Sequence, residues 1–343
     1  MDICLVMVEK FITKIHINKV RHLENLTIEL SETERKHLIL IGKNGCGKTS
    51  VIKAIDDFFV NNHEDVNVSL TSSILETFFG CFSVRYEPEF DLPSDVDKII
   101  PSSSKDFLKY MVWLDYLQIY AERNGEMEEV HRIKSWFNNL LKILREIYNC
   151  EVLTIRYNAK ELRHFIEMPN REPFGLNEMA DGYSAILTIV MDLIIKIENF
   201  YDGDYNTNGI VVIDEIEKHL HVELQKKVLP FLTTLFPSIQ FIVTTHSPFV
   251  IESFKGAVVY NLERKDRCVI SEARTANETV RDILGVPFTI PEWAEQKLNA
   301  ITEKYLLQNT ESISFEKMKT ELEDSGLSSF FPDSMATVLK TNK

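Results

Sequence analysis

Polar and apolar residues alternate near the start of the chain, through Phe11-Ile12-Thr13-Lys14-Ile15-His16-Ile17 and again through Leu26-Thr27-Ile28-Glu29-Leu30. A period of two predicts strands with one face on a core. Later runs are apolar without alternation: His37-Leu38-Ile39-Leu40-Ile41, Ile210-Val211-Val212-Ile213 and Phe241-Ile242-Val243. These predict parallel strands covered on both faces. From about Lys48 the period becomes helical, with Val51, Ile52, Ala54, Ile55, Phe58 and Phe59 on one side.

Between about 60 and 150 the strand and helix alternation is interrupted. A strand is predicted over 77–86, followed by a loop bearing proline and serine, then helices over about 105–122 and 126–148. The first helix is apolar almost all round, whereas the second carries one stripe of Val130, Ile133, Phe137, Leu140, Leu144 and Ile147. Joined at Arg123-Asn124-Gly125, they predict a hairpin, and two roles stay open for it: packing on the core or docking a partner. Strands near 151–157, 162–167 and 257–262 follow, with Cys268-Val269-Ile270 as a hairpin partner to the last. The tail from about Glu278 is predicted helical, with Ala294, Leu298, Ile301 and Tyr305 on one face and Phe315, Met318 and Leu322 on a second helix. The fold class is α/β, a mixed sheet flanked by helices. Its expected divisions are 1–60, a mainly helical insertion over 61–150, a return to the sheet over 151–272, and a helical tail over 273–343.

The connection after the first unbroken strand changes this from a fold to a chemistry. Gly42-Lys43-Asn44-Gly45-Cys46-Gly47-Lys48-Thr49 fits G-x-x-x-x-G-K-[ST] between a strand and a helix, the context that a phosphate-binding loop requires. Glycines there let backbone N–H groups turn toward phosphates, and the helix N-terminus adds partial positive charge. Lys48 is expected to reach the β- and γ-phosphates and Thr49 to ligate Mg²⁺, with Ser50 completing the ATP-binding set of 42–50. The second unbroken strand ends in Asp214-Glu215. Asp214 is placed to hold Mg²⁺, and Glu215 to polarise the water that attacks the γ-phosphate. The third ends in Thr244-Thr245-His246-Ser247-Pro248.

With these elements in order, the chain resembles the ABC-type P-loop ATPases of the SMC/RecF-like class. The run Asp214-Glu215-Ile216-Glu217, then His219-Leu220-His221, and the segment 244–248 carry the likeness. More narrowly it is similar to the compact AAA family ATPases predicted to act in virulence and anti-phage defence, and to the ATPase part of OLD proteins. The likeness covers about 8–59 and 176–262. It implies that His246 senses the γ-phosphate, and that Met179-Ala180-Asp181-Gly182-Tyr183 is the signature segment that caps a partner's ATP through Asp181 and Gly182. A head-to-head homodimer with nucleotide between Lys48 of one subunit and Gly182 of the other follows. Ala180 stands where the family usually has serine, so slower hydrolysis, weaker dimerisation or sufficiency of backbone contacts all stay open. Between the two lobes Gln118 is the glutamine available to a Q-loop, but it lies in a heavily apolar helical stretch, so no Q-loop residue is assigned.

Composition bounds the biology. The chain has 343 residues and a net charge of −14, which argues against a surface that grips nucleic acid throughout. Local patches at Lys160, Arg163 and Arg171, and at Arg132 and Lys134, keep nucleic acid open without implying it. The five cysteines are scattered and show no C-x-x-C pair, which suggests reduced thiols. Residues 1–7 lack a basic leader and no run is long enough for a membrane span, so a cytoplasmic protein with no membrane partner is expected. His219 and His221 are expected in a loop facing a partner subunit rather than on a metal, and Asp202-Gly203-Asp204 in a polar loop. The resemblance implies an ATP- and Mg²⁺-dependent regulator of a separately encoded effector, such as a nuclease or toxin. A DNA repair ATPase that clamps duplex and an ATP-locked scaffold with little turnover are the alternatives.

Overall fold

A computed structural model describes residues 11–61, 66–71, 78–83, 106–201, 208–286, 291–306 and 315–327. It divides the chain into two units, Met1–Ala276 and Asn277–Lys343. In the first, β1 (Ile12–Val20) and β2 (Leu23–Glu29) form the alternating antiparallel pair, followed by β3 (Leu38–Ile41), α1 (Lys48–Asn61), β4 (Val66–Leu70) and β5 (Phe78–Ser83). The hairpin is α2 (Phe107–Asn124) and α3 (Met127–Tyr148), and a small sheet follows from β6 (Thr154–Asn158), β7 (Arg163–Met168) and β8 (Arg171–Gly175). Then come α4 (Asp181–Tyr201), β9 (Gly209–Asp214), α5 (Val222–Gln225), α6 (Val228–Leu235), β10 (Ile239–Thr244), α7 (Pro248–Glu252), β11 (Val258–Asn261) and β12 (Asp266–Val269).

The central sheet runs β12-β11-β3-β10-β9-β5, parallel throughout except for the edge strand β12. Strands β3, β9 and β10 are buried at every position, as their unbroken apolar runs require. One core cluster joins Ile15, Ile17 and Ile28 of the first sheet, Val51, Ile52 and Ile55 of α1, and Leu38, Leu40, Val212 and Ile242 of the central sheet. Helix α1 is therefore held from both sides, which fixes its N-terminus against the end of β3. Gln240 stitches the two sheets: its side chain accepts from Ile12 N at 2.7 Å and donates to Ile12 O at 3.1 Å and Lys36 O at 2.7 Å. All its polar capacity is used, so its full burial is affordable.

Strands β4 and β5 fall within the span expected to be a mainly helical insertion. β4 pairs with β1, and β5 pairs in parallel with β9 from Phe78↔Gly209 to Ser83↔Asp214. Pairing partners so distant in sequence leave no local signal. Helix α3 is also rotated relative to its predicted stripe: Trp136 and Ile143 are buried, while Phe137 is only partly so. The cause is Trp136, whose ring meets Phe107 and Tyr110 of α2 at 5.6 and 5.7 Å. The far half of α2 exposes Tyr116, Ile119 and Tyr120. Strand β8 was not foreseen, because Pro173 and Gly175 are poor strand formers. Gln118 donates to Glu122 on its own helix.

In the second unit, helices Glu292–Leu306 and Phe315–Asp324 bury Ala294, Leu298, Ile301 and Tyr305 against Met318 and Leu322. Among the described residues no helix is long and apolar enough to cross a membrane. Asp202, Gly203 and Asp204 lie outside the described residues.

Candidate functional site

The loop between β3 and α1 adopts backbone that only glycine accepts at several points. Gly42 has φ 143° and Gly47 φ 104°. A Cβ at Gly47 would stand 2.7 Å from Leu23 Cδ1, and one at Gly42 would stand 2.5 Å from Cys46 Sγ. Lys48 is buried, and its Nζ donates to Gly42 O at 2.8 Å and Lys43 O at 3.2 Å. The ammonium thus lies in the mouth of the loop, ringed by carbonyls. Asn44 and Gly45 form the exposed tip, Ser50 is buried on α1, and Lys43 pairs with Glu263 at 2.9 Å.

Asp214 ends β9, two strands from β3, and lies beneath the start of α1. Thr49 Oγ1 donates to its Oδ2 at 2.8 Å, and Thr244 Oγ1 donates to its Oδ1 at 2.5 Å. The same Thr244 hydroxyl accepts from Glu215 N at 2.7 Å. One hydroxyl at the end of β10 therefore holds both acids of β9. The sequence gives Thr244 no task of its own; its signal was its place in the segment 244–248 that carries the family likeness.

Glu215 turns away from the strand at φ 52°, a left-handed conformation that costs a non-glycine residue about 1 kcal/mol or more. Its side chain is 46% exposed, with Oε2 3.5 Å from Lys218 Nζ, so solvent reaches this carboxylate while Asp214 stays buried. His246 is half-buried on the same side of the sheet. Burial holds its imidazole below the usual histidine range, the Lys48 charge adds to this, and Glu217, Glu215 and Asp214 oppose it. Its backbone N donates to Glu217 Oε1 at 2.7 Å. Ser247 caps α7, accepting from Phe249 N and Val250 N, and donates to Gln225 Oε1 at 2.6 Å.

The signature segment is placed differently. Asp181 opens α4, and its side chain lies outside the described residues. Gly182 sits against the loop after β9: a Cβ there would meet Leu224 Cδ1 at 3.0 Å, His219 O at 3.1 Å and His221 N at 3.9 Å. Tyr183 stacks on Tyr148 at the end of α3, with centroids 4.6 Å apart. The chain thus assembles 42–50, Asp214, Glu215 and His246 about one locus and sets Gly182 against the neighbouring loop.

These residues fit a magnesium nucleotide. The loop is closed to a Cβ at Gly42 and Gly47, the Lys48 ammonium lies within it, and the Thr49–Asp214 pair offers the oxygen donors that Mg²⁺ prefers.

The model of the AAA ATPase domain family matches residues 11–116 and 94–251. Septu protein PtuA of Bacillus mycoides (strain KBAB4) is 23% identical over 370 residues, covering 92% of this chain and 50% of that protein. A retron Ec83 probable ATPase of Escherichia coli is 33% identical over 97 residues, 27% of this chain and 18% of that protein. The chain spans about half the length of the Septu proteins it matches and less of the retron ATPases. Among solved structures, the SMC head bound to the C-winged helix domain of ScpA aligns at 13% identity over 77% of this chain and 98% of that one, with a TM-score of 0.42.

Proposed function

The chain belongs to the AAA ATPase domain family, and from that premise we propose that it binds and hydrolyses Mg·ATP as a homodimeric switch governing a separately encoded effector in anti-phage defence. The observation that carries the catalytic part is the chain of hydroxyls and carboxylates from Thr49 through Asp214 to Thr244 and the Glu215 amide. It ties the phosphate loop to the carboxyl ends of β9 and β10, where open α/β sheets bind their ligands.

In this reading Lys48 and the loop amides neutralise the phosphates, and Thr49 and Asp214 hold Mg²⁺. Held there by Thr49 and Asp214, the ion would supply positive charge to the phosphates. Glu215, exposed enough to meet water, orients the attacking molecule and takes up its proton. The His246 imidazole, its pKa lowered chiefly by burial and then by the Lys48 charge, contacts the γ-phosphate. Asp181 and Gly182 at the start of α4 cap the partner subunit's nucleotide, since a helix N-terminus of this length offers free N–H groups to an anion. The similarity to Septu and retron ATPases supports the defence role. The net charge of −14 favours an effector protein over a DNA clamp.

The test is the solution mass of Glu215→Gln protein by light scattering, with and without Mg·ATP. The mass doubles with ATP, and Lys48→Ala abolishes both nucleotide binding and the change. A mass indifferent to ATP removes the sandwich dimer, and unimpaired turnover by Glu215→Gln removes the assigned base.

A further inference from the structure

Three acids occur in quick succession at the end of β9, and each sits in a different environment. Asp214 is buried and held by two hydroxyls. Glu215 is half-exposed and faces Lys218. Glu217 points back into the protein: Oε1 accepts the His246 backbone N–H at 2.7 Å, while Oε2 is buried with no hydrogen-bond partner among the described residues. A buried oxygen left without a partner costs about 1–3 kcal/mol, so a carboxylate here needs a reason beyond stability.

The reason lies in what the carboxylate joins. The loop 215–221 carries the assigned base, passes through left-handed backbone at Glu215 (φ 52°) and His219 (φ 62°), and packs beneath Gly182. The segment 245–248 carries the assigned sensor. Among the described residues two side-chain ties connect them, Glu217 to the His246 peptide and Gln225 to Ser247; Gln225 Nε2 also donates to Leu220 O at 2.7 Å, and Ile216 N donates to Thr244 O at 3.1 Å just ahead of the segment. Only the Glu217 tie acts on the sensor residue itself. Backbone strained at two points does not hold its shape without such anchors.

We propose that Glu217 is a positioning residue for ATP hydrolysis, its carboxylate fixing the His246 peptide, and so the imidazole, relative to Glu215. The proposal rests on the ATPase reading above. Glu217 is also the carboxylate whose charge acts most strongly on His246, ahead of Glu215 and Asp214. Removing the tie leaves phosphate binding intact, because Lys48 and the loop are anchored separately. It frees the sensor from the base, and a displacement of about 1 Å in a reacting assembly costs about 100-fold in rate.

The experiment measures kcat, KM and the Kd of a fluorescent ATP analogue for the wild type and for Glu217→Ala, Glu217→Gln and Glu217→Asp, with melting temperatures for each. Alanine lowers kcat about 10- to 100-fold and leaves KM and Kd within about 3-fold. Glutamine keeps an oxygen for the His246 N–H and restores kcat to within about 3-fold of wild type. Aspartate keeps the charge but is too short to reach, so its kcat falls with that of alanine; this pair of side chains decides the matter even if alanine fails to fold. Wild-type kcat in the aspartate variant, equal impairment by glutamine and alanine, or a rise in KM at constant kcat overturns the proposal. A wild-type protein that neither binds nor hydrolyses ATP fails at the earlier step and takes the ATPase reading with it.

Discussion

Replacing Thr244 by valine keeps nearly the same volume at a site with no solvent exposure and deletes a single oxygen. That oxygen donates to Asp214 Oδ1 at 2.5 Å and accepts from Glu215 N at 2.7 Å. A hydrogen bond to a buried charge contributes about 1.5–3 kcal/mol and a neutral one about 0.5–1.5 kcal/mol, which gives a loss of about 2–4 kcal/mol. For a unit of this size the midpoint of thermal unfolding falls by roughly 3–7 °C. Turnover falls more steeply than stability implies, because the Glu215 amide is freed from the bond that holds its left-handed turn, and Asp214 retains only Thr49. Scanning calorimetry and a phosphate-release assay, run beside Thr244→Ser, check both effects. Serine restores the hydroxyl and with it most of the stability and rate. If the valine variant melts within about 1 °C of wild type and turns over normally, Thr244 does not hold the two acids and the reasoning fails.

Two further outcomes follow from buried groups away from the phosphates. His37 Nδ1 accepts from Phe241 N at 3.0 Å, which requires a neutral ring, and burial, with the Arg35 charge behind it, pushes its pKa down to about 4 from 6.5. The unfolded chain therefore binds a proton that the folded one refuses between those values. Stability is fully present above pH 6.5 and is lost as pH falls toward 4, by about 2 kcal/mol at pH 5. Urea unfolding at pH 7 and pH 5 shows this loss in the wild type and its absence in His37→Asn, and an identical pH dependence in both proteins contradicts it. Tyr148 has a buried hydroxyl with no hydrogen-bond partner among the described residues, and burial pushes its pKa up to about 12. Tyr148→Phe keeps the stack on Tyr183 and the edge contact with Phe174 and is neutral or stabilising by up to about 1 kcal/mol; a melting point lowered by more than about 3 °C counts against an unpartnered hydroxyl.

What could be read without coordinates was chemistry carried by neighbours in sequence. The phosphate loop is a run of backbone conformations and adjacent side chains, so 42–49 announces itself through glycine spacing between an apolar strand and an amphipathic helix. Strands β3, β9 and β10 were equally plain, because burial on both faces demands an unbroken apolar run. The α2–α3 hairpin followed from helical periodicity, although periodicity did not select Trp136 over Phe137 as the buried ring; that depended on the facing side chains of α2.

Tertiary structure decided everything that depends on which distant segments meet. Thr49 and Asp214 are 165 positions apart, and their hydrogen bond exists because β3, β10 and β9 lie side by side in an order that no local pattern encodes. Thr244 and Glu217 stood in motif segments with no task of their own until that order placed one under both acids and the other behind His246. The same order placed β5 beside β9, inside a stretch whose sequence suggested an insertion. Residue types and their spacing determined that this chain has a phosphate-binding loop. The register of parallel strands, set by burial of both sheet faces at once, determined which side chains hold its acids in place.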